Sequence, residues 1–80
     1  MKVKVRYFAS LREQAGKSQE EIDIEKGKNL KDIYQELSLR YGFTLLPQEI
    51  KYSVNNDYVD QIIKLNENDV VVFIPPVAGG

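Results

Sequence analysis

Cysteine and histidine are both absent from this sequence of 80 residues. Without cysteine, the chain has no disulfide, no zinc–thiolate site and no cysteine nucleophile. Without histidine, it lacks the commonest metal ligand and the usual general base at neutral pH. We therefore expect no metal site. Catalysis by this chain alone would need serine or lysine with a carboxylate, and no spacing in the sequence suggests such a pair.

The sequence also has no excess of charge of one sign. Lys and Arg number 11, Asp and Glu number 12, and the formal net charge is −1. This balance does not indicate a nucleic acid or a membrane surface as a partner. No apolar segment is long enough to cross a bilayer, and the N-terminus shows no signal-peptide pattern. We therefore expect one small cytoplasmic domain with a modest core.

Two segments in the first third of the chain alternate between apolar and polar residues. They are residues 2–8 and residues 20–25. Alternation of this kind predicts strands with one solvated face, and the simplest return between them makes the pair antiparallel. The residues expected to face the core are Val3, Val5, Tyr7, Ile22 and Ile24.

Two helices are predicted from the residues at their ends. Ser10 and Glu13 have the spacing of a capping box, which predicts a helix of about two turns that ends at Gly16. Asn29 is a good N-cap for a longer helix, and Gly42 suits its left-handed C-terminal cap. The longer helix has one apolar stripe, so it must lie on one face of a sheet. The inward residues are Leu11 and Ala15 in the short helix and Leu30, Ile33, Tyr34, Leu37 and Tyr41 in the long one.

The second half of the chain returns to strand patterns. Residues 51–54 predict a third strand, residues 55–57 (Asn-Asn-Asp) predict a turn that tolerates positive φ, and a short strand follows. Two apolar groups in the neighbouring loops are expected to turn inward. They are Phe43, Leu45 and Leu46 under the sheet edge, and Ile62, Ile63 and Leu65 in the core.

Two aromatic residues have two interpretations each. Phe8 lies on the polar side of the first strand, where it is either covered by the next turn or exposed as a contact for a partner. Tyr58 is either a cross-strand packing residue or a second exposed aromatic. The sequence alone leaves both questions open.

The end of the chain combines a strand with a stiff tail. Residues 70–74 form an apolar, β-branched run that predicts a strand buried on both faces. Pro75 and Pro76 cannot donate to a sheet and fix φ, so the chain is expected to leave as an extended arm of residues 75–80. At about 3.3 Å per residue this arm would reach roughly 20 Å. Gly79 and Gly80 make its end narrow, although a frayed tail is the alternative.

These elements predict an α+β fold in which a mixed sheet packs on one main helix. The last strand is expected to run parallel beside the first, since both are the most apolar. The predicted division is a domain over residues 1–74 and a tail over residues 75–80.

Three stretches of the sequence resemble a known family. They are VRYFASLRE at residues 5–13 with Gly16, SVN at residues 53–55, and the closing segment that ends in PPVAGG. Together they look like the small subunit of molybdopterin synthase, and the resemblance covers essentially the whole chain. The Pro-Pro-Val-x-Gly-Gly ending is its most specific part. That family has the ubiquitin-like β-grasp fold, in agreement with the order of elements above.

The resemblance implies a sulfur carrier for molybdenum cofactor biosynthesis and not an enzyme in its own right. An E1-like adenylyltransferase would use ATP to adenylate Gly80, and sulfide would replace AMP to give a thiocarboxylate. The thiocarboxylate would enter the active site of the large subunit, in a heterotetramer, and supply sulfur to cyclic pyranopterin monophosphate. The chain itself would bind no cofactor.

The family also implies which residues meet the partners. By position, Phe8, Tyr58 and Ile74 match apolar contacts with the large subunit and the activating enzyme. The tail that inserts would be Pro75, Pro76, Val77, Ala78 and Gly79, ahead of Gly80. Two alternatives stay open. One is another β-grasp protein, either a carrier for thiamine synthesis or tRNA thiolation or a ubiquitin-like modifier. The other is an interaction module whose glycine tail is incidental.

Overall fold

A computed structural model describes residues 1–76 of the chain. This part contains five strands, two α-helices and one 3₁₀-helix. None of its helices has the length and apolar character needed to span a membrane. The elements in chain order are β1 (Lys2–Tyr7), α1 (Ala9–Ala15), β2 (Gln19–Asp23), α2 (Leu30–Tyr41), a 3₁₀-helix (Pro47–Glu49), β3 (Lys51–Val54), β4 (Asp57–Val59) and β5 (Val70–Ile74).

The five strands form one mixed sheet in the order β2-β1-β5-β3-β4. β1 and β5 are parallel neighbours at its centre, with Val5 opposite Val71. All other pairs are antiparallel. The predicted antiparallel return of the first two strands and the parallel pairing of the last strand with the first are both confirmed.

α2 begins and ends where its capping residues predict. The Asp32 backbone N–H donates to Asn29 Oδ1 at 2.8 Å, and the Asn29 N–H donates to Asp32 Oδ2 at 3.4 Å. Gly42 closes the helix with φ +73°, a left-handed conformation that suits glycine. A cap of this kind typically stabilises a helix by about 1 kcal/mol. The buried residues of the stripe are Leu30, Ile33, Tyr34 and Leu37.

The core between α2 and the sheet is built around aromatic rings. Tyr34 on α2 lies with its ring centroid 5.3 Å from those of Phe43 and Phe73. Tyr7 and Tyr52 extend the cluster along β1 and β3, with centroids 6.2 and 5.7 Å from that of Phe73. Offset and edge-to-face contacts at these distances add to the stability gained from apolar burial.

The predicted N-cap of the short helix, Ser10, is wrong by two residues. α1 begins at Ala9, its N-cap is Phe8, and no side chain caps it. The Phe8 carbonyl accepts from the N–H groups of Leu11 and Arg12 at 3.1 and 3.4 Å. Because the chain turns at Phe8, Ser10 lies inside the helix, where its hydroxyl cannot act as an N-cap.

Three apolar residues predicted to turn inward are exposed. Ile62 and Ile63 are 66% and 41% exposed, and Leu46 is 52% exposed, whereas Leu65 is buried as expected. The backbone explains the first two, since carbonyls from this loop accept from N–H groups in the first turn of α2. The loop is held by its main chain, so these two side chains are left at the surface.

The prediction that β5 is buried on both faces is also wrong. Val71 and Phe73 have no exposed surface, but Val70, Val72 and Ile74 are only half-buried. α2 covers one face of the sheet and no second layer covers the other within residues 1–76. The apolar run therefore has one core face and one face that meets solvent.

Candidate functional site

The face of the sheet opposite α2 is the candidate site, and we call it the open face. Alternation along each strand places every second residue there. In β1 these residues are exposed while their neighbours are buried. The open face consists of Lys2, Lys4, Arg6 and Phe8 from the β1 side, Val70, Val72 and Ile74 from β5, Lys51 and Ser53 from β3, Tyr58 from β4, and Gln19, Glu21 and Asp23 from the edge strand β2.

The centre of the open face is apolar and its border on the β1 side is cationic. Val72 lies opposite Arg6 on one side and Ser53 on the other. Val70 lies opposite Lys4. A half-buried strip of valine and isoleucine beside exposed cations is typical of a surface that another protein covers.

The three predicted contact residues all belong to the open face. Phe8 and Tyr58 are 50% and 75% exposed, so neither the next turn nor cross-strand packing covers them fully. Ile74 is half-buried at the end of β5, opposite Lys51. Tyr58 lies opposite Ser53 and lines a groove of about 500 Å³ beside β3 and β4. The structure thus places these residues on one side of the sheet, and their contacts with partners stay a prediction.

Sequence reasoning misses Val70 and Val72 as surface residues. The strand reads as a continuous apolar run, and that pattern predicts both valines to be in the core. A usable signal is present, since one main helix with a single apolar stripe can cover only one face of a sheet. The cationic border cannot be recognised as part of a site from the sequence, because Lys2, Lys4 and Arg6 alternate with apolar residues as in any strand with one solvated face.

The described chain reaches the beginning of the predicted tail. β5 ends at Ile74, after which Pro75 is buried and Pro76 is exposed. Pro75 therefore packs against the domain. The predictions for Val77, Ala78, Gly79 and Gly80 lie outside the described residues. The division into a domain of residues 1–74 and a tail of residues 75–80 stays a prediction.

The buried tyrosines of the domain act as hydrogen-bond donors. Burial raises the pKa of Tyr34 to about 12. Burial also raises the pKa of Tyr52, and burial together with a hydrogen bond to Glu20 raises the pKa of Tyr7. Tyr34 and Tyr52 donate to backbone carbonyls at 2.8 Å, and Tyr7 donates to Glu20 at 2.6 Å. These hydroxyls stay protonated at neutral pH. In residues 1–76, no group of three acidic residues is placed to hold a metal ion.

Comparison with known proteins connects this geometry to a family. The model of the ThiS family matches residues 5–80. The molybdopterin synthase sulfur carrier subunit of Dictyostelium discoideum is 36% identical over 96% of this chain and 94% of its own length. Among solved structures, the putative molybdopterin converting factor subunit 1 of Pyrococcus furiosus is 31% identical, with a TM-score of 0.79 over 96% of this chain and 99% of that one.

Two further structures bear on the fold and on assembly. The complex of subunits 1 and 2 of the molybdopterin-converting factor from Helicobacter pylori contains a chain that is 25% identical, with a TM-score of 0.68 over the full length of both chains. A Caldiarchaeum subterraneum ubiquitin, 15% identical with a TM-score of 0.67 over 100% of this chain and 98% of its own, shows the fold alone. The predicted ubiquitin-like β-grasp fold is confirmed. From the family match over residues 5–80 and the identity to its sulfur carrier subunits, the chain belongs to the ThiS family.

Proposed function

We propose that this chain is the sulfur carrier subunit of a molybdopterin synthase and that Gly80 carries the sulfur. The observation behind the proposal is the identity of 36% to a named carrier subunit over 96% of the chain. The sequence PPVAGG at residues 75–80 supports it, because glycine lets a backbone approach a partner closely. In this role the chain is a carrier, and the catalytic groups belong to its partners.

The proposed chemistry takes place at the carboxylate of Gly80. A carboxylate oxygen attacks the α-phosphorus of ATP in the activating enzyme, which releases pyrophosphate and forms a glycyl adenylate. Sulfide, supplied by a sulfurtransferase, then attacks the carbonyl carbon and displaces AMP to leave a thiocarboxylate. Transfer of that sulfur to cyclic pyranopterin monophosphate and attack by water regenerate the carboxylate. Two carriers supply the two sulfurs of the dithiolene. The absence of cysteine is compatible with this route, because the sulfur is held by the main chain.

The open face is the proposed contact with the large subunit. Its apolar strip of Val70, Val72 and Ile74 ends at Pro75, from which the proposed sulfur-carrying tail continues. A partner seated on this strip would therefore receive the tail at the same time. The complex of subunits 1 and 2 from Helicobacter pylori supports pairing with a second subunit. Assembly as a heterotetramer and contact with an E1-like adenylyltransferase are further parts of the proposal.

The direct test is intact-mass spectrometry of the chain after incubation with the activating enzyme, ATP and a sulfur source. We expect the mass gain that corresponds to one oxygen replaced by sulfur, located in the C-terminal peptide. A variant that lacks Gly80 is the matched control and should show no gain while its fold is retained. Absence of the gain in the unmodified chain, while an established carrier is converted in a parallel reaction, would contradict the proposal.

Co-purification with the large subunit separates this function from the alternatives. A carrier for another pathway would gain the same mass but would not bind the large subunit of molybdopterin synthase. A simple interaction module would not gain the mass at all.

A further inference from the structure

A groove at the end of the open face contains two arginines. Its volume is about 460 Å³, and Arg6, Phe8, Arg12, Ser18 and Gln19 are among the residues that line it. Arg6 comes from β1 and Arg12 from α1, so the fold brings together two guanidinium groups from different elements. The half-exposed ring of Phe8 belongs to the same groove, and Arg6 lies opposite Val72 of the apolar strip.

Neither arginine of this groove has an acidic residue directly opposite it in the sheet or in an ion pair within residues 1–76. The register of β1 with β2 places Lys2 opposite Asp23 and Lys4 opposite Glu21. Arg6 is opposite the neutral Gln19, so it is the one cation of β1 without an acidic cross-strand neighbour. Among the ion pairs of residues 1–76, none involves Arg6 or Arg12. A chain with a net charge of −1 therefore presents a local site of positive charge.

The local backbone holds the groove in shape. The Tyr7 N–H donates to the Ser18 carbonyl at 2.8 Å, which ties the loop before β2 to the end of β1. Ala9 has φ +49°, a left-handed conformation that is unfavourable for a residue with a β-carbon. This sharp turn directly follows Phe8 and starts the helix that carries Arg12. Strained backbone of this kind persists where the surrounding structure enforces it, and it is often found at binding sites.

We propose that the Arg6–Arg12 groove binds carboxylate side chains of an acidic segment on the protein that covers the open face. This inference rests on the proposed function, because it takes that protein to be the large subunit. Guanidinium groups bind carboxylates through paired, charge-assisted hydrogen bonds, and such bonds fix orientation as well as adding affinity. Continuity with Phe8 and with the apolar strip favours a protein surface over a free anion. The groove would set how the partner is oriented while the apolar strip supplies most of the contact area.

The test is calorimetric titration of the complete chain with the large subunit at two salt concentrations. Arg6→Gln and Arg12→Gln should each weaken binding by about tenfold to hundredfold at low salt, as expected for the loss of a charge-assisted contact. Their binding should depend less on salt than that of the unmodified chain. Lys31→Gln, which removes one positive charge from an exposed position on α2, is the matched control and should bind as the unmodified chain does.

The outcomes of this titration distinguish a failure of the groove proposal from a failure of the proposed function. If the unmodified chain binds and both arginine variants bind equally well, the groove proposal is wrong while the proposed function stands. If the unmodified chain does not bind the large subunit at all, the proposed function fails and the groove proposal with it. Restored binding of Arg6→Glu by a Glu→Arg change on the large subunit would confirm the charge pairing.

A parallel titration with sodium phosphate, followed by NMR, distinguishes a free anion from a protein carboxylate. Submillimolar phosphate binding at Arg6 and Arg12, together with unchanged affinity of the glutamine variants for the large subunit, would overturn the proposal in favour of a site for small anions.

Discussion

Val71 and Val72 are adjacent and chemically identical, yet they belong to two different regions of the molecule. Val71 faces α2 and has no exposed surface, whereas Val72 faces the open side and is half-buried. The same contrast separates Phe73 from Ile74 one step further along β5. One strand therefore supplies stability on one face and a candidate recognition surface on the other, because successive side chains of a strand point to opposite faces.

The strongest test of this contrast places the same charge on each face. Val71→Lys should prevent folding, since an unpaired buried charge costs several kcal/mol and a domain of this size has about 4–12 kcal/mol in total. Val72→Lys should remain folded, with a change of about 1 kcal/mol or less in the free energy of unfolding. Urea denaturation followed by circular dichroism measures both. Equal loss of stability in the two variants would mean that the open face is part of the core.

A second test concerns recognition on the open face alone. Phe8→Ala and Tyr58→Ala should each reduce affinity for the large subunit by about 1–3 kcal/mol, because exposed aromatics are frequent hot spots of interfaces. Their free energies of unfolding should stay within about 0.5 kcal/mol of that of the unmodified chain. Leu39→Ala, at an exposed position on α2, is the control. Calorimetric titration and thermal melts provide the measurements, and unchanged affinity in both aromatic variants would remove these residues from the proposed interface.

A third test concerns the hydrogen bonds and the ion pair of Glu20, which lies at the edge of the sheet face that α2 covers. Tyr7 and Tyr41 both donate to Glu20 Oε2 at 2.6 Å, and Lys17 lies 3.5 Å from its other oxygen. Burial of Glu20 raises its pKa, but the hydrogen bonds from Tyr41 and Tyr7 and the charge of Lys17 outweigh that effect, so the pKa lies below its ordinary value. Glu20→Gln should destabilise the fold by about 1–2 kcal/mol at neutral pH.

The sign of the pH dependence follows from this lowered pKa. The stability contributed by ionised Glu20 is complete above its unfolded pKa and is lost as the pH falls through the lower folded value. The unmodified chain should therefore lose more stability than Glu20→Gln as the pH falls from about 5 to 3. Urea melts across that range measure the difference. If the free energies of unfolding of the two proteins changed in parallel with pH, the charge of Glu20 would contribute nothing to stability.

The smallest expected effect concerns the turn that supports the arginine groove. Ala9→Gly should relieve a left-handed strain of roughly 1–2 kcal/mol and lose part of that gain to the entropy of the unfolded chain. We expect a net stabilisation of up to about 1 kcal/mol. Ala15→Gly, at a buried position later in the same helix, should instead destabilise by about 1 kcal/mol. Thermal unfolding of both variants checks this, and destabilisation by Ala9→Gly would argue against strain at that turn.

Most local features could be predicted because their causes are close in sequence. Asn29, Asp32 and Gly42 delimit α2, since caps depend on residues within one turn of the helix end. Asn55 and Asn56 adopt φ +52° and +74°, as the turn between β3 and β4 requires. The start of the short helix could not be predicted in this way, because a backbone turn at Phe8 and Ala9 replaces the side-chain cap that Ser10 predicts.

Part of the candidate site could also be predicted. The family resemblance points to Phe8, Tyr58 and Ile74, and the structure places all three on the open face. The grouping of Arg6 with Arg12 could not be read from the sequence, because it depends on how α1 packs against the end of β1. The exposure of Ile62 and Ile63 could not be predicted for a similar reason, since the backbone of their loop pairs with the start of α2.

By itself the sequence determined the order of strands and helices, the caps of α2, the β3–β4 turn and the membership in a carrier family, because these depend on residue type and short spacings. Only the tertiary structure decided which face of β5 remained open, which cations lacked acidic neighbours and which loop isoleucines stayed at the surface. The physical reason is that burial and charge compensation are set by contacts between segments far apart in the chain. An apolar strand has the same sequence pattern whether or not a second layer covers its outer face.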